Sequence, residues 1–376
     1  MKTSFSNFLK TMLLITLVFT VYTGSAQEKK EDKKTNWMEE VSSRINPYGS
    51  IRVGIGFAEG GELGISNNAP RIGFRFKHAL SKNEEDNFNI IGRVEFGLNL
   101  VSRDDTVEFS IDPGAGIAQV GDAVFTRLGY VGISYKDFEF TFGKQNSIYY
   151  TLGANNVDKF LAFGGASLGV WNISDGGVSG TGRANQAFIL KYSNSGFTIG
   201  FQGQTRNISN ASESIDSYGL GANYKIDGFS IGVGYNKVND GVANPLPDQA
   251  KEGDEAFIVS ASYEKNRLTI AASYSSLKQH QKTGTTFYDA TGNELYARYK
   301  FSKNKKWHIA AGFSSLKPNS DLGLGDFDTK FGIAEVGYNF KKSSHVFAAA
   351  KIDQSENSTG DRRNESVFGI GIRFNF

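Results

Sequence analysis

The chain has 376 residues, and its 41 Lys and Arg are nearly balanced by 39 Asp and Glu spread along its length, which excludes a basic nucleic-acid-binding patch. Cys is 0, so neither a disulfide framework nor a thiolate metal site can form. Gly 44, Phe 30 and Tyr 16 against Pro 6, at a mean hydropathy of −0.34, exclude a helical membrane protein but suit strands with one face in lipid and the other in water.

At the start, Lys2 and Lys10 flank an apolar stretch from Met12 to Tyr22 that ends on Gly24, Ser25 and Ala26. Residues 1–26 are therefore expected to be a secretory signal peptide, because the apolar stretch is too short to span a bilayer. Residues 27–46 open on the charge run EKKEDKK and are expected to be a periplasmic segment outside the fold. Within it Trp37, Val41 and Ile45 stand at helical spacing, which suits a short amphipathic helix.

From residue 47 to 376 the period changes to two, and about sixteen strands follow. The first eight are expected at Tyr48 to Phe57, Arg71 to Leu80, Asn87 to Val101, Phe125 to Tyr135, Asp137 to Asn146, Gln186 to Asn194, Gly196 to Arg206 and Ile215 to Ile226. The rest are expected at Gly228 to Val238, Asp254 to Lys265, Arg267 to Gln279, Gly292 to Ser302, Lys305 to Leu316, Asp326 to Phe340, Ser343 to Asp353 and Glu365 to Phe376. Connections alternate in length. Tight turns sit at Lys136-Asp137, Asn194-Ser195, Asp227-Gly228, Lys265-Asn266, Lys303-Asn304 and Lys341-Lys342. Longer polar loops, such as Ala58 to Pro70, Ser102 to Val124 and His280 to Thr291, lie between them. This is the pattern of an all-β, transmembrane antiparallel barrel in a Gram-negative outer membrane, with short periplasmic turns and long outer loops. An even strand count puts both termini on the periplasmic side.

Tyr135, Tyr192, Tyr224, Tyr263, Tyr299 and Tyr338 each precede a tight turn, as an aromatic girdle at headgroup level requires. The final strand alternates strictly, with Phe368, Ile370, Ile372, Phe374 and Phe376 on one parity. In water that face would aggregate; in lipid it is at home.

One connection is much longer than the others. Ser147 to Arg183 is rich in Gly and carries Phe160, Leu161, Phe163, Leu168, Val170 and Trp171, which folding inward against the barrel wall would shelter. The surrounding run, TRLGYVGISYKDFEFTFGKQNSIYY from Thr126 to Tyr150 followed by VDKFLAFGG from Val157 to Gly165, resembles the general bacterial porins. PYG at Pro47 to Gly49 and the terminal Phe376 extend the likeness. The resemblance implies a sixteen-stranded homotrimer whose third outer loop folds into the lumen and narrows it. It also implies a basic wall of Arg71, Arg127 and Arg183, with Arg52 a looser match, facing Asp158 and a tip of Phe163, Gly164 and Gly165. Where the family has a glutamate before Phe-Gly-Gly this chain has Ala162, so the usual cation preference is not carried over. The implied partners are small hydrophilic solutes and ions, membrane lipid and lipopolysaccharide, and the barrel-assembly machinery that reads a C-terminal signal, here Phe374 and Phe376.

Parity tests the same residues independently. Ile72, Phe74 and Phe76 share the lipid parity, which turns Arg71, Arg75 and Lys77 inward; Val94, Phe96 and Leu98 likewise turn Arg93 and Glu95 inward. In the fourth strand Val131 and Ile133 share the parity of Arg127, a pattern suited to burial against a neighbouring protomer. Together these residues predict a basic-dominated constriction with weak anion preference. A substrate-selective channel with a lumenal binding site is the alternative. An outer-membrane hydrolase fits less well, because His78, His280, His308 and His345 occur singly and without metal spacing. The Gly-x-Gly triplets lie within strands and lead into no helix, so no cofactor is implied.

Overall fold

In a computed structural model of the chain, the described residues are 44–376 except 60, 62, 82–86, 102–122, 173, 206–213, 240–249, 284–285, 320–327, 342, 357–359 and 363. The expected signal peptide, nearly all of segment 27–46 and most of the loop Ser102 to Val124 lie outside them.

The strands are β1 (Ile45–Ala58), β2 (Leu63–Asn67), β3 (Arg71–Ala79), β4 (Phe88–Leu98), β5 (Val124–Tyr135), β6 (Phe138–Asn146), β7 (Arg183–Asn194), β8 (Phe197–Gln204) and β9 (Ser217–Ile226). They continue as β10 (Phe229–Val238), β11 (Glu255–Lys265), β12 (Leu268–Thr283), β13 (Thr286–Lys300), β14 (Trp307–Pro318), β15 (Thr329–Lys341), β16 (Ser344–Asp353) and β17 (Val367–Asn375). Each pairs antiparallel with the next in sequence, β6 with β7 across the long 147–182 connection included, save that β2 and β3 do not pair with each other. β2 and β3 both pair with β1 and form one wall strand broken at Asn68 to Pro70, so the barrel is sixteen-stranded. It closes where β1 meets β17, with Ile51 opposite Phe374 and Ile55 opposite Ile370. At that seam Gly49 and Phe376 exchange backbone hydrogen bonds of 3.0 and 3.1 Å.

Three sequence expectations need correction. Ala58 to Pro70 is not all loop, because β2 extends the wall by pairing Leu63 with Phe57. His280 to Thr291 is largely the end of a long β12–β13 hairpin rather than a loop. The mixed parity of β5 has a local cause: Leu128 opposes Glu95 while Thr126 opposes Phe96, so Arg127 is the extra residue of a β-bulge. Exposed positions are even before the bulge (Val124, Thr126) and odd after it (Ile133, Tyr135), and no protomer contact is needed to explain them. Smaller shifts occur as well, with β1 beginning at Ile45 rather than at Tyr48 and so taking in the end of segment 27–46.

The outer face is apolar throughout, with Ile51, Phe74, Phe142, Ile199, Ile231, Leu295, Ile309 and Ile370 all exposed on one parity of their strands. The tight turns carry residues with positive φ. At Asp227-Gly228 both central residues have it (42° and 86°), the turn that matches the twist of a two-residue hairpin. Beside these turns the expected aromatics meet the aromatic that opens the preceding strand: Tyr192 lies 4.9 Å from Phe138, Tyr263 4.5 Å from Phe229 and Tyr338 5.0 Å from Trp307.

Candidate functional site

Segment 147–182 follows β6 with a short π-helical turn at Tyr149–Ala154 and then runs without regular strand structure to β7. Its apolar side chains Phe160, Leu161, Phe163, Leu168 and Val170 are buried, as expected from their composition. Wall side chains from β8 round to β17 fasten its backbone. Gln202 on β8 accepts from Ile148 N at 3.0 Å, and Asn223 on β9 donates to Leu152 O at 3.2 Å. Ser275 on β12 donates to Ser167 O at 2.6 Å. Glu294 on β13 accepts from Gly165 N at 3.0 Å, and Glu335 on β15 from Leu161 N at 2.9 Å. Arg373 on β17 and Asn68 in the β2–β3 break both donate to Leu161 O at 2.9 Å. Small wall residues make the close approach possible: a Cβ on Gly232 would stand 2.1 Å from Leu152 O, and one on Gly292 2.0 Å from Ser167 O.

Where Leu161 to Gly164 meet the seam, a cavity of about 150 Å³ is lined by Arg52, Arg71, Arg93, Arg127, Arg183 and Arg373, with Glu95 and Asp158 as the acids among its lining residues. Glu95 organises one side. It is 1% exposed and holds Arg93 at 2.6 Å, Arg127 at 3.1 Å and Arg71 at 3.8 Å, while the Tyr48 hydroxyl donates to it at 2.8 Å. The bulge in β5 is what turns both Arg127 and Leu128 inward, each 2–3% exposed. Arg183 is paired with Asp175 and lies over the Trp171 ring at 4.9 Å. Asp158 accepts from the Tyr150 hydroxyl at 2.8 Å; burial, reinforced by this acid, pushes the Tyr150 phenol well above its usual range and keeps it a donor.

Most of the residues singled out from sequence thus meet in one place. Phe163 and Gly164 line the cavity, while Gly165 is turned toward Glu294. Arg75 does not line it and instead lies over the Tyr48 ring at 4.0 Å. Phe374 stacks parallel to Phe340, with ring centroids 6.3 Å apart, and neighbours Phe376 at 6.1 Å. Sequence reasoning missed Arg373, Glu294 and Glu335. Each stands singly on the inward parity of its strand, and that parity was the signal that could have found them.

Two of the histidines are held in buried polar contacts. Both ring nitrogens of His280 are occupied, Nδ1 with Asp254 at 2.6 Å and Nε2 with Gly169 O at 2.7 Å, so neither is left to activate a nucleophile. His308 holds Glu335 at 3.2 Å. Among the described residues, no group of three or more histidines or acids is placed to hold a metal ion.

Comparison with known proteins agrees with this architecture. The aligned part of the outer membrane porin protein OmpD of Salmonella typhimurium is 26% identical over 162 residues, 40% of this chain and 43% of that protein. Among solved structures, Salmonella typhi OmpF in complex with daunomycin matches with a TM-score of 0.64 at 18% identity, covering 88% of this chain and 97% of the other. The trimer form of OmpT from Vibrio cholerae matches at 0.62 and 18% (88% and 99% covered), and an anion-selective porin from Comamonas acidovorans at 0.60 and 17% (88% and 99% covered). The sequence model of the Gram-negative porins matches residues 20–372, and the chain belongs to that family.

Proposed function

We propose that the protein is an outer-membrane porin: a water-filled passage for small hydrophilic solutes and ions, narrowed by segment 147–182 and weakly anion-preferring at the narrowing. The observation that carries this reading is the charge surplus of the 150 Å³ cavity, whose lining arginines outnumber its acids. Cations fixed in a narrow passage with low-dielectric walls raise the local concentration of anions and repel cations. A structural neighbour that is itself an anion-selective porin supports the same direction. A trimeric neighbour supports assembly as a homotrimer. In the same reading lipid and lipopolysaccharide surround the apolar belt and an even strand count leaves both termini periplasmic. In this reading the chain catalyses nothing, and the C-terminal Phe376 serves the barrel-assembly machinery. Reversal potentials across planar bilayers under a potassium chloride gradient test it: a potential of anionic sign is expected, and one of clear cationic sign rejects the preference.

A further inference from the structure

The tight turns at the periplasmic end of the barrel are unequal in charge. Asn194-Ser195-Gly196 is neutral and Lys136-Asp137 is balanced, whereas Lys300, Lys303, Lys305 and Lys306 crowd the β13–β14 turn, with Arg267 and Lys341 on the turns either side of it. Among the described residues, the acids at this end of β9 to β16 are Asp227 and Glu264, which pair with Lys265 and Arg298. Cations are left in surplus. The turn is tied down, because Arg267 Nη1 donates to Lys300 O, Phe301 O and Ser302 O at 3.3, 3.2 and 3.1 Å and Trp307 N donates to Ser302 Oγ at 3.0 Å. Its ammonium groups stand at the height of the aromatic girdle, with Lys306 5.9 Å from the Tyr338 ring and Lys341 5.7 Å from the Phe374 ring. That is the level of lipid headgroups.

On the outer face of the same strands a groove of about 880 Å³ reaches from Leu268 and Tyr299, opposite each other beside the turn, to Phe57 and Phe368. Its floor is low because Ala297, Ala311, Ala334 and Ala350 stand in one register across β13 to β16, while Tyr299, Ile309 and Val336 rise beside them. Ala297 and Ser302 are separated by about 17 Å of extended strand, comparable to half of a hydrocarbon core ~30 Å thick. We propose that the β13–β14 turn and this groove bind one anionic phospholipid of the inner leaflet, its phosphate among the lysines and an acyl chain over the alanines. Lysine is a point-charge ligand for phosphate and is drawn to an anionic lipid surface. An anionic polymer of the periplasm would use the lysines alone; the continuity of basic turn and apolar groove favours a lipid. The inference rests on reading this end of the barrel as periplasmic.

Trp307, exposed between the turn and the groove, is the reporter. The full chain is placed in phosphatidylcholine vesicles with dibrominated phosphatidylglycerol or dibrominated phosphatidylcholine as quencher, and the signal is the fluorescence component lost in W307F. Phosphatidylglycerol is expected to quench at a mole fraction roughly tenfold lower than phosphatidylcholine does. K303Q/K305Q/K306Q should abolish that preference, and A311L/A334L, which fills the floor and keeps every charge, should weaken it. K136Q, on a turn across the barrel, should leave it unchanged. Equal quenching by the two lipids overturns the site. Absence of quenching by either means that a second copy covers the groove, and recovery of fluorescence in excess inorganic phosphate assigns the lysines to free phosphate; each overturns the proposal as well. A preference unmoved by A311L/A334L overturns the groove's part in it. Loss of the site with an anionic reversal potential intact leaves the porin reading standing, whereas lipid preference without channel conductance sinks that reading alone.

Discussion

Among single residues, Glu95 matters most, because one buried carboxylate is shared by three guanidiniums at 2.6, 3.1 and 3.8 Å. Removing one partner from a buried charge cluster leaves the others uncompensated, which is worth about 3 to 5 kcal/mol. E95Q is therefore expected to destabilise the barrel by that order, measured by urea unfolding from lipid vesicles. R71Q removes only the longest of the three contacts, made by a side chain 21% exposed, and is expected to cost about 1 kcal/mol or less. Equal costs for the two variants would mean that Glu95 does not organise the cluster. E95Q should also raise the anionic sign of the reversal potential, since it deletes one of the cavity's acids.

For the elements, the decisive relation is between the 147–182 segment and the strands that hold it. Glu294 and Glu335 grip its backbone at Gly165 and Leu161, and a buried amide left without its acceptor costs about 1 to 3 kcal/mol. E294Q/E335Q is expected to let that stretch of segment leave the wall, which liposome-swelling rates would report as altered passage of larger sugars relative to small ones. G292A tests the same contact without touching charge: its new methyl group would meet Ser167 O at 2.0 Å, so the segment must move. Unchanged sugar discrimination in both variants would rule out a sieving role for the segment. Much of this architecture was legible beforehand, because a lipid-facing strand must repeat every second residue and a short turn must punctuate it. The bulge was not legible, since the extra Arg127 shifts parity within β5 and mimics a strand apolar on both faces. β2 and the outer part of the β12–β13 hairpin were not legible for another reason. β2 is only five residues long, so the outward alternation of Leu63 and Ile65 is too short to mark a strand, and the end of β12, KQHQKT, carries no apolar alternation and reads as loop. The segment's apolar content announced that it was sheltered, but its fasteners are lone inward acids that no local pattern marks.

At the scale of the whole molecule, everything depends on the two faces of the wall having different solvents. Val259 lies in mid-strand on the outer parity of β11, between Val233 of β10 and Tyr274 of β12, whereas Ser273 on β12 faces inward opposite Ser260. A lysine on the lipid face near the bilayer midplane costs about 2 to 4 kcal/mol, while an inward one at a hydrated position stays within about 0.5 kcal/mol. V259K is accordingly expected to lower unfolding stability in lipid vesicles by that larger amount, and S273K, half-buried beside Ser260 and Glu294, to lower it by less. The pair also separates the barrel from any fold that buries its apolar residues in a compact core. There Val259 and its neighbours would be interior and Ser273 would be exposed, so both variants would shift stability in detergent-free buffer, where this chain with its Ile231, Ile309 and Ile370 outward should not stay dispersed at all. A monodisperse sample without surfactant would therefore contradict the assignment of faces on which the seam, the cavity and its arginines all depend.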